Sequence, residues 1–262
     1  MKLIASTLAV SAALLFSNVQ AAEKPTVVLV HGAFEDAQIW QGVEKGLKSD
    51  GFGVVTVDLP GRPSAPMALN QVSLDTYRDT VLHAIAPVKG PVILVGHSFG
   101  GIVISDVAEA APQEIKTLVY VAAYLPQDGE SLLTLATADK GSKVGPHLQI
   151  EKDKGIASVD YSARADLFAN DAPEAVRKAT PDLIIDEPLA PLATPVHLTA
   201  QRFGKVDKVY VHTAKDQVVS PYLQAIMVAH TPVRIQTTLD TGHMPFIMDV
   251  PGLVSAIEKA TN

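Results

Sequence analysis

Pro91-Val92-Ile93-Leu94-Val95-Gly96-His97-Ser98-Phe99-Gly100-Gly101 runs from a short apolar segment through Gly-His-Ser-Phe-Gly into a helix-like segment over 102–111. The apolar run has the character of a strand buried on both faces. Gly-x-Ser-x-Gly between a strand and a helix is the pattern of a nucleophile elbow, a turn too tight for side chains beside its serine. Backbone strain at such a turn presents the hydroxyl at the carboxyl end of a sheet. Ser98 is the candidate nucleophile, and the remaining chain must supply a base, an acid and oxyanion donors.

Outward from this stretch, the same strand character recurs over 26–30, 54–57, 117–121, 208–213 and 233–239. Helical spacing of apolar residues separates them, as with Ile39, Trp40, Val43 and Leu47 over 36–49, and over 73–86 with Ser73 as N-cap. Further helices are predicted over 221–230 and 251–260. This alternation predicts an α/β fold, a mostly parallel sheet flanked by helices. From 125 to 203 the rhythm breaks into polar, Pro-rich text with helical patches near 131–138 and 173–178. That stretch is too long for a plain loop, and it predicts an inserted helical cap. The core then comprises 22–124 and 204–262.

The 262 residues carry 28 acidic against 21 basic side chains and no cysteine. The net charge of −7 comes with no basic stripe, so nucleic acid is not a predicted partner. Without cysteine there is no disulfide, thiolate nucleophile or thiolate metal ligand. Residues 1–21 have the layout of a signal peptide: Lys2, an apolar run over 3–16, and small or modest residues at Val19-Gln20-Ala21. The run is short for a membrane span and interrupted by Ser6, Thr7 and Ser11. The expectation is export to a periplasmic or secreted location, with no membrane attachment after cleavage.

A serine hydroxyl needs a neighbouring base, and histidine is the usual one near neutral pH. Of eight histidines, His243 is best placed, in the turn Asp240-Thr241-Gly242-His243-Met244-Pro245 after the last strand. His31 and His97 sit at other strand ends, where they are expected to order loops. The base needs an acid to hold its tautomer. Asp216 follows the strand over 208–213 and leaves the sheet on the Ser98 edge. Asp128 competes from the cap entrance, while Asp240 is too close in sequence to His243. The order Ser98, Asp216, His243 is that of α/β-hydrolases. Oxyanion donors are expected at the backbone N–H of Phe99 and of Ala33, where Gly32 permits close approach. Phe34, Trp40, Leu125, Met244 and Phe246 lie near predicted strand ends; Phe34, Leu125 and Met244 are the candidate substrate-binding residues. No metal constellation and no dinucleotide fingerprint appears, so neither a metal nor an organic cofactor is predicted.

Val30-His31-Gly32-Ala33-Phe34, Asp58-Leu59-Pro60-Gly61, the elbow and Asp240-Thr241-Gly242-His243 together resemble the α/β-hydrolase superfamily. Residues 119–130 and 199–204 are similar to the cap borders of the branch holding plant methyl-ester esterases, hydroxynitrile lyases and their bacterial relatives. The resemblance covers essentially the whole mature chain. It implies Ser98, His243 and Asp216 as the triad and Ala33 and Phe99 as oxyanion donors. The lyases of that branch carry a lysine after the catalytic histidine and a threonine in the first loop. Here those positions are Met244 and Gly32, which favours ester hydrolysis.

The expected activity is hydrolysis of small to medium apolar carboxylic esters through an acyl-enzyme, with a small-molecule ester as partner. Alternatives are a hydroxynitrile or C–C lyase, or a lactone or amide hydrolase, on the same triad. A non-catalytic small-molecule binding protein with this fold is a further one.

Overall fold

The computed structural model describes residues 24–261. The predicted signal peptide at 1–21 lies outside the described residues. Six strands form one sheet: β1 (Val27–Val30), β2 (Val54–Val57), β3 (Val92–His97), β4 (Ile115–Val121) and, after the cap strands β5 (Leu148–Glu151), β6 (Ile156–Val159) and β7 (Glu187–Pro188), β8 (Asp207–Thr213) and β9 (Ile235–Leu239). Their order is β2-β1-β3-β4-β8-β9, and every pairing is parallel. Parallel strands need helical crossovers, which cover both faces; all of β1 and all of β3 are accordingly buried. The elbow helix, Gly100–Ala110, buries eight of its eleven residues. Side chains such as Ile93, Leu94 and Val95, wholly buried, each contribute about 1.5–3 kcal/mol to that core.

The register decides where the chemistry sits. Val30 pairs with Gly96, His97 with Val121, Val121 with Val211, and Thr213 with Leu239. Residues leaving β1, β3, β4, β8 and β9 therefore emerge along one edge. The chain runs from β1 outward to β2, then returns to β3 on the other side of β1. That reversal is a topological switch point, the usual ligand crevice of an open α/β sheet.

Between β4 and β8 stands the inserted segment. It has the helices Leu132–Ala138, Arg164–Phe168, Glu174–Leu183 and Leu189–Ala193. Ser131 caps the first of these through a capping box with Thr134. The segment, expected as a helical cap, is only partly helical. It also holds a three-stranded antiparallel sheet of β5 (Leu148–Glu151), β6 (Ile156–Val159) and β7 (Glu187–Pro188). The first two make a hairpin closed by Lys152-Asp153-Lys154-Gly155, with Gly155 at φ 67°. Strands of four and two residues carry too few alternations to register against the Pro-rich text around them.

Candidate active site

Among the described residues, three that are not glycine have a left-handed backbone: Phe34 (φ 64°), Ser98 (φ 50°) and Ala122 (φ 47°). Each follows the end of a strand, β1, β3 and β4 respectively, on the shared edge. Such conformations cost on the order of 1–3 kcal/mol each and collect where function requires them. At Ser98 the turn is held by its own backbone. Its N–H donates to Val121 O at 3.2 Å, and its carbonyl accepts from the N–H of Gly101 and Tyr124, both at 3.1 Å. The flanking glycines are sterically required. A Cβ on Gly96 would come within 2.6 Å of the Gly100 carbonyl, and one on Gly100 within 2.9 Å of the Val30 and His31 oxygens.

His243 and Asp216 meet as the sequence order predicts. His243 Nδ1 lies 2.8 Å from Asp216 Oδ2, which fixes the proton on Nδ1 and leaves Nε2 as the basic nitrogen. The carboxylate is itself immobilised. Oδ2 also accepts from Thr213 Oγ1 at 2.8 Å, and Oδ1 accepts the N–H groups of Val218 and Val219 at 2.8 and 3.0 Å. Burial pushes the His243 pKa down, but the Asp216 charge and hydrogen bond, with Glu35, outweigh it and leave it raised. The competing acids lie elsewhere: Asp128 is mostly exposed and accepts from Leu198 N–H, and Asp240 pairs with Lys215 at the surface.

His31 and His97 order loops. His97 Nε2 donates to His243 O at 2.9 Å, while Nδ1 faces Glu35 Oε2 at 2.9 Å. Its ring lies 4.6 Å from that of His243. The Ser98 turn and the His243 turn are thus tied together one residue from Ser98. His31 accepts the Leu59 N–H at Nε2 and reaches Gly32 O through Nδ1. Burial first, and then the nearby Arg62 charge, lower its pKa to about 4, so the ring is neutral at pH 7.

The loop after β1 distributes its N–H groups selectively. Gly32 donates to Glu35 Oε2 at 3.0 Å and Phe34 to Glu187 Oε2 at 2.7 Å. Among the described residues, no protein acceptor takes the Ala33 N–H or the Phe99 N–H. These are the two donors the sequence singles out. Glu187, from β7 of the cap, is fully buried and also accepts from Arg62 Nη2 at 2.5 Å and Tyr77 OH at 2.9 Å. The Ile185 N–H donates to Phe34 O, so both backbone groups of Phe34 are held by the cap. The cap also grips the other turns: Asp171 accepts the Gly242 N–H, and Asn170 donates to Lys215 O.

A cavity of about 130 Å³ opens on Ser98, lined also by Ala33, Phe34, Tyr124, Leu132 and Phe168. Of the three predicted substrate contacts, Phe34 lines it. Leu125 and Met244 do not. Leu125 faces a separate hollow beside Met227, and Met244 lines a groove with Glu35, Leu183 and Ile247. Met244 follows His243 directly, yet its side chain leaves on the other side of the turn; chain proximity misplaces it. Of the two other apolar candidates, Phe246 lines that same groove, and Trp40 is wholly buried with its ring inclined at 59° to that of Phe246. Sequence reasoning also misses Glu35, Arg62, Tyr124, Asp171 and Glu187. Only Glu35 carries a local signal, three residues after Gly32 in the loop that follows β1.

The profile of the alpha/beta hydrolase family matches residues 27–257, and the chain belongs to that family. It is 29% identical over 242 residues to "Putative methylesterase 13, chloroplastic" of Arabidopsis thaliana, covering 88% of this chain but only 54% of that protein. It is 28% identical over 243 residues to methyl jasmonate esterase 1 of Vitis vinifera, with 83% of this chain and 89% of that one covered. Among solved structures, a pyrethroid hydrolase from Sphingobium faniae superposes with a TM-score of 0.80 at 23% identity, over 90% of this chain and 97% of that chain. That likeness establishes the fold.

Proposed function

Starting from a member of the alpha/beta hydrolase family, we propose that this protein is a carboxylesterase acting on small to medium apolar esters. The observation that carries the proposal is the His243–Asp216 pair standing on the same sheet edge as the strained Ser98. In this reading Ser98 Oγ attacks the ester carbonyl and His243 Nε2 takes its proton. The carbonyl oxygen becomes an oxyanion bonded by the Ala33 and Phe99 N–H groups, a contribution of about 2.7–4 kcal/mol per donor. Collapse breaks the ester C–O bond, and the His243 proton goes to the leaving alkoxide. Water, deprotonated by the same nitrogen, then attacks the acyl-enzyme and releases the acid. The names of the curated relatives, methylesterases and a methyl jasmonate esterase, support the reaction class.

The cavity supports the substrate class. None of its lining side chains is charged. Its volume, about 130 Å³, is a little below the ~150 Å³ that accommodates benzene in an engineered cavity. Cyanohydrin cleavage is disfavoured by space as well as by composition. A Cβ on Gly32 would come within 2.9 Å of Ser98 Cβ and 2.8 Å of Glu35 Oε2, so a threonine there is blocked. With the leader composition at 1–21, the same proposal places the enzyme outside the cytoplasm.

The test is Ser98→Ala, assayed with p-nitrophenyl butanoate and a fluorophosphonate probe. Turnover is expected to fall at least ~10⁴-fold and labelling to vanish, with the fold intact. Undiminished turnover would overturn the mechanism, and cyanide release from mandelonitrile without ester cleavage would overturn the reaction class.

A further inference from the structure

Buried tyrosine hydroxyls in this protein are bonded, with one exception. Tyr77 OH donates to Glu187, Tyr120 OH shares a 2.8 Å contact with Ser105 Oγ, and Tyr210 OH donates to Ala123 O. Tyr124 is only 4% exposed, yet its hydroxyl has no protein partner among the described residues, nor is it among the fully enclosed polar atoms. A buried donor without an acceptor calls for a physical account. Here the account lies in its position, because Tyr124 lines the cavity that opens on Ser98. Its backbone N–H donates to the Ser98 carbonyl, which fixes the residue beside the nucleophile.

The other hydroxyls of the cavity stand nearer solvent. Exposed Thr137 donates Oγ1 to Leu133 O within its own helix, and half-buried Ser142 accepts the Val144 N–H at Oγ. Ser98 is reserved for the reaction under the proposal above. The rest of the wall is carbon, from side chains such as Leu132, Ala136, Val144, Leu192 and Val218. Ser98 apart, Tyr124 is thus the one buried side chain lining this largely apolar space whose hydroxyl has no protein partner among the described residues.

We infer that Tyr124 is a specificity-determining residue, donating a hydrogen bond to an oxygen carried by the substrate away from the scissile ester. The substrate class is then an ester with an apolar skeleton and one further acceptor oxygen, a ketone or an ether. Burial first, with the Asp139 and Asp216 carboxylates nearby, pushes the phenol upward, so it remains a protonated donor throughout the neutral range. A purely hydrocarbon group would leave the donor unmet, while a ketone in a cavity without the donor would lose its water for nothing. The hydroxyl therefore inverts the preference that the carbon wall alone would give.

The inference rests on the esterase proposal, and its test separates the two. Isosteric ester pairs place a ketone where the partner has a branched carbon: methyl 4-oxopentanoate against methyl 4-methylpentanoate, and methyl 5-oxohexanoate against methyl 5-methylhexanoate. A second arm puts the oxygen on the alcohol side, 2-methoxyethyl butanoate against butyl butanoate. In one arm the wild type is expected to favour the oxygenated ester in kcat/KM by roughly tenfold to a hundredfold, the range for a buried donor met or unmet. In Tyr124→Phe, which keeps the ring and its packing, that ratio is expected to fall to one or below. Ratios near one in every arm of the wild type, or a preference that survives in Tyr124→Phe, would overturn the inference. Calorimetric binding of the same pairs to Ser98→Ala, with and without Tyr124→Phe, reads the contact with no chemistry involved. If no ester turns over but the binding ratio behaves as stated, the esterase proposal fails and the Tyr124 assignment stands.

Discussion

Replacing Glu187 by alanine tests whether the cap builds the oxyanion loop or merely covers it. The carboxylate is fully buried and receives three donors: the Phe34 N–H, Arg62 Nη2 and Tyr77 OH. Its removal leaves Arg62, whose side chain is itself wholly buried, with an uncompensated charge. Breaking one side of a buried ion pair costs about 3–5 kcal/mol. At about 2–4 °C per kcal/mol for a chain of this size, the Tm should fall by about 6–20 °C. Removing both charges is different. In Arg62→Met/Glu187→Met the buried cation goes with the anion, and most of that loss should be recovered, since paired apolar replacements are often close to neutral. Activity should not recover. Both variants lack the acceptor that holds the Phe34 N–H in its left-handed turn, next to Ala33. Misplacing one oxyanion donor lowers kcat by up to about 10²–10³-fold. Calorimetric melting and steady-state kinetics on the three proteins separate the two effects. A Glu187→Ala protein melting within about 2 °C of wild type, or a double variant with wild-type kcat, would refute the reasoning.

Two further outcomes follow from the titrating groups. With the His243 pKa raised, its protonated form, inactive as a base in the proposed mechanism, persists above the ordinary histidine value. The acid limb of kcat/KM should therefore lie above pH ~6.5. Asp216→Asn removes the main raising influence, so the limb should move to lower pH while kcat drops about 10⁴-fold through the wrong tautomer; an unmoved limb in a pH-rate profile would contradict this assignment. His31 acts with the opposite sign. Its folded pKa of about 4 lies below the unfolded value, so between those values the unfolded chain binds more protons and stability falls as pH drops. The loss across that window is about 3 kcal/mol. Urea unfolding at pH 7 and 4.5 should show a smaller difference in His31→Gln than in wild type; an equal difference would remove His31 as the cause. Glu35, whose carboxyl burial raises but whose histidine neighbours hold below its ordinary range, loses stability in the same direction.

The parts of this site that can be read from sequence are those in which a backbone rule and a chemical need coincide. Gly96 and Gly100 are forced by contacts within a few residues of one another or across one strand pair, and the strand before them is apolar throughout. Asp216 and His243 follow strands whose parallel register puts them on the Ser98 edge, so position in the alternation predicts position in space. What cannot be read this way depends on partners brought together by the cap. Phe34 and Glu187 are 153 residues apart, and nothing in Asp186-Glu187-Pro188 distinguishes that glutamate from a solvated one. The hairpin at 148–159 fails for a related reason: four-residue strands offer two alternations each, below what periodicity resolves. Met244 and Leu125 show the converse error, because adjacency to a functional residue says nothing about which side of the turn a side chain takes. Tyr124 combines both limits. It lies next to apolar residues and reads as core, and only the absence of a partner for its hydroxyl marks it as different. In a cavity whose walls are mostly hydrocarbon, a buried donor outweighs many lining contacts, since apolar contacts vary by fractions of a kcal/mol with shape, whereas an unmet buried donor costs about 1–3 kcal/mol. Discrimination among substrates of similar size should therefore follow the hydroxyl rather than the wall.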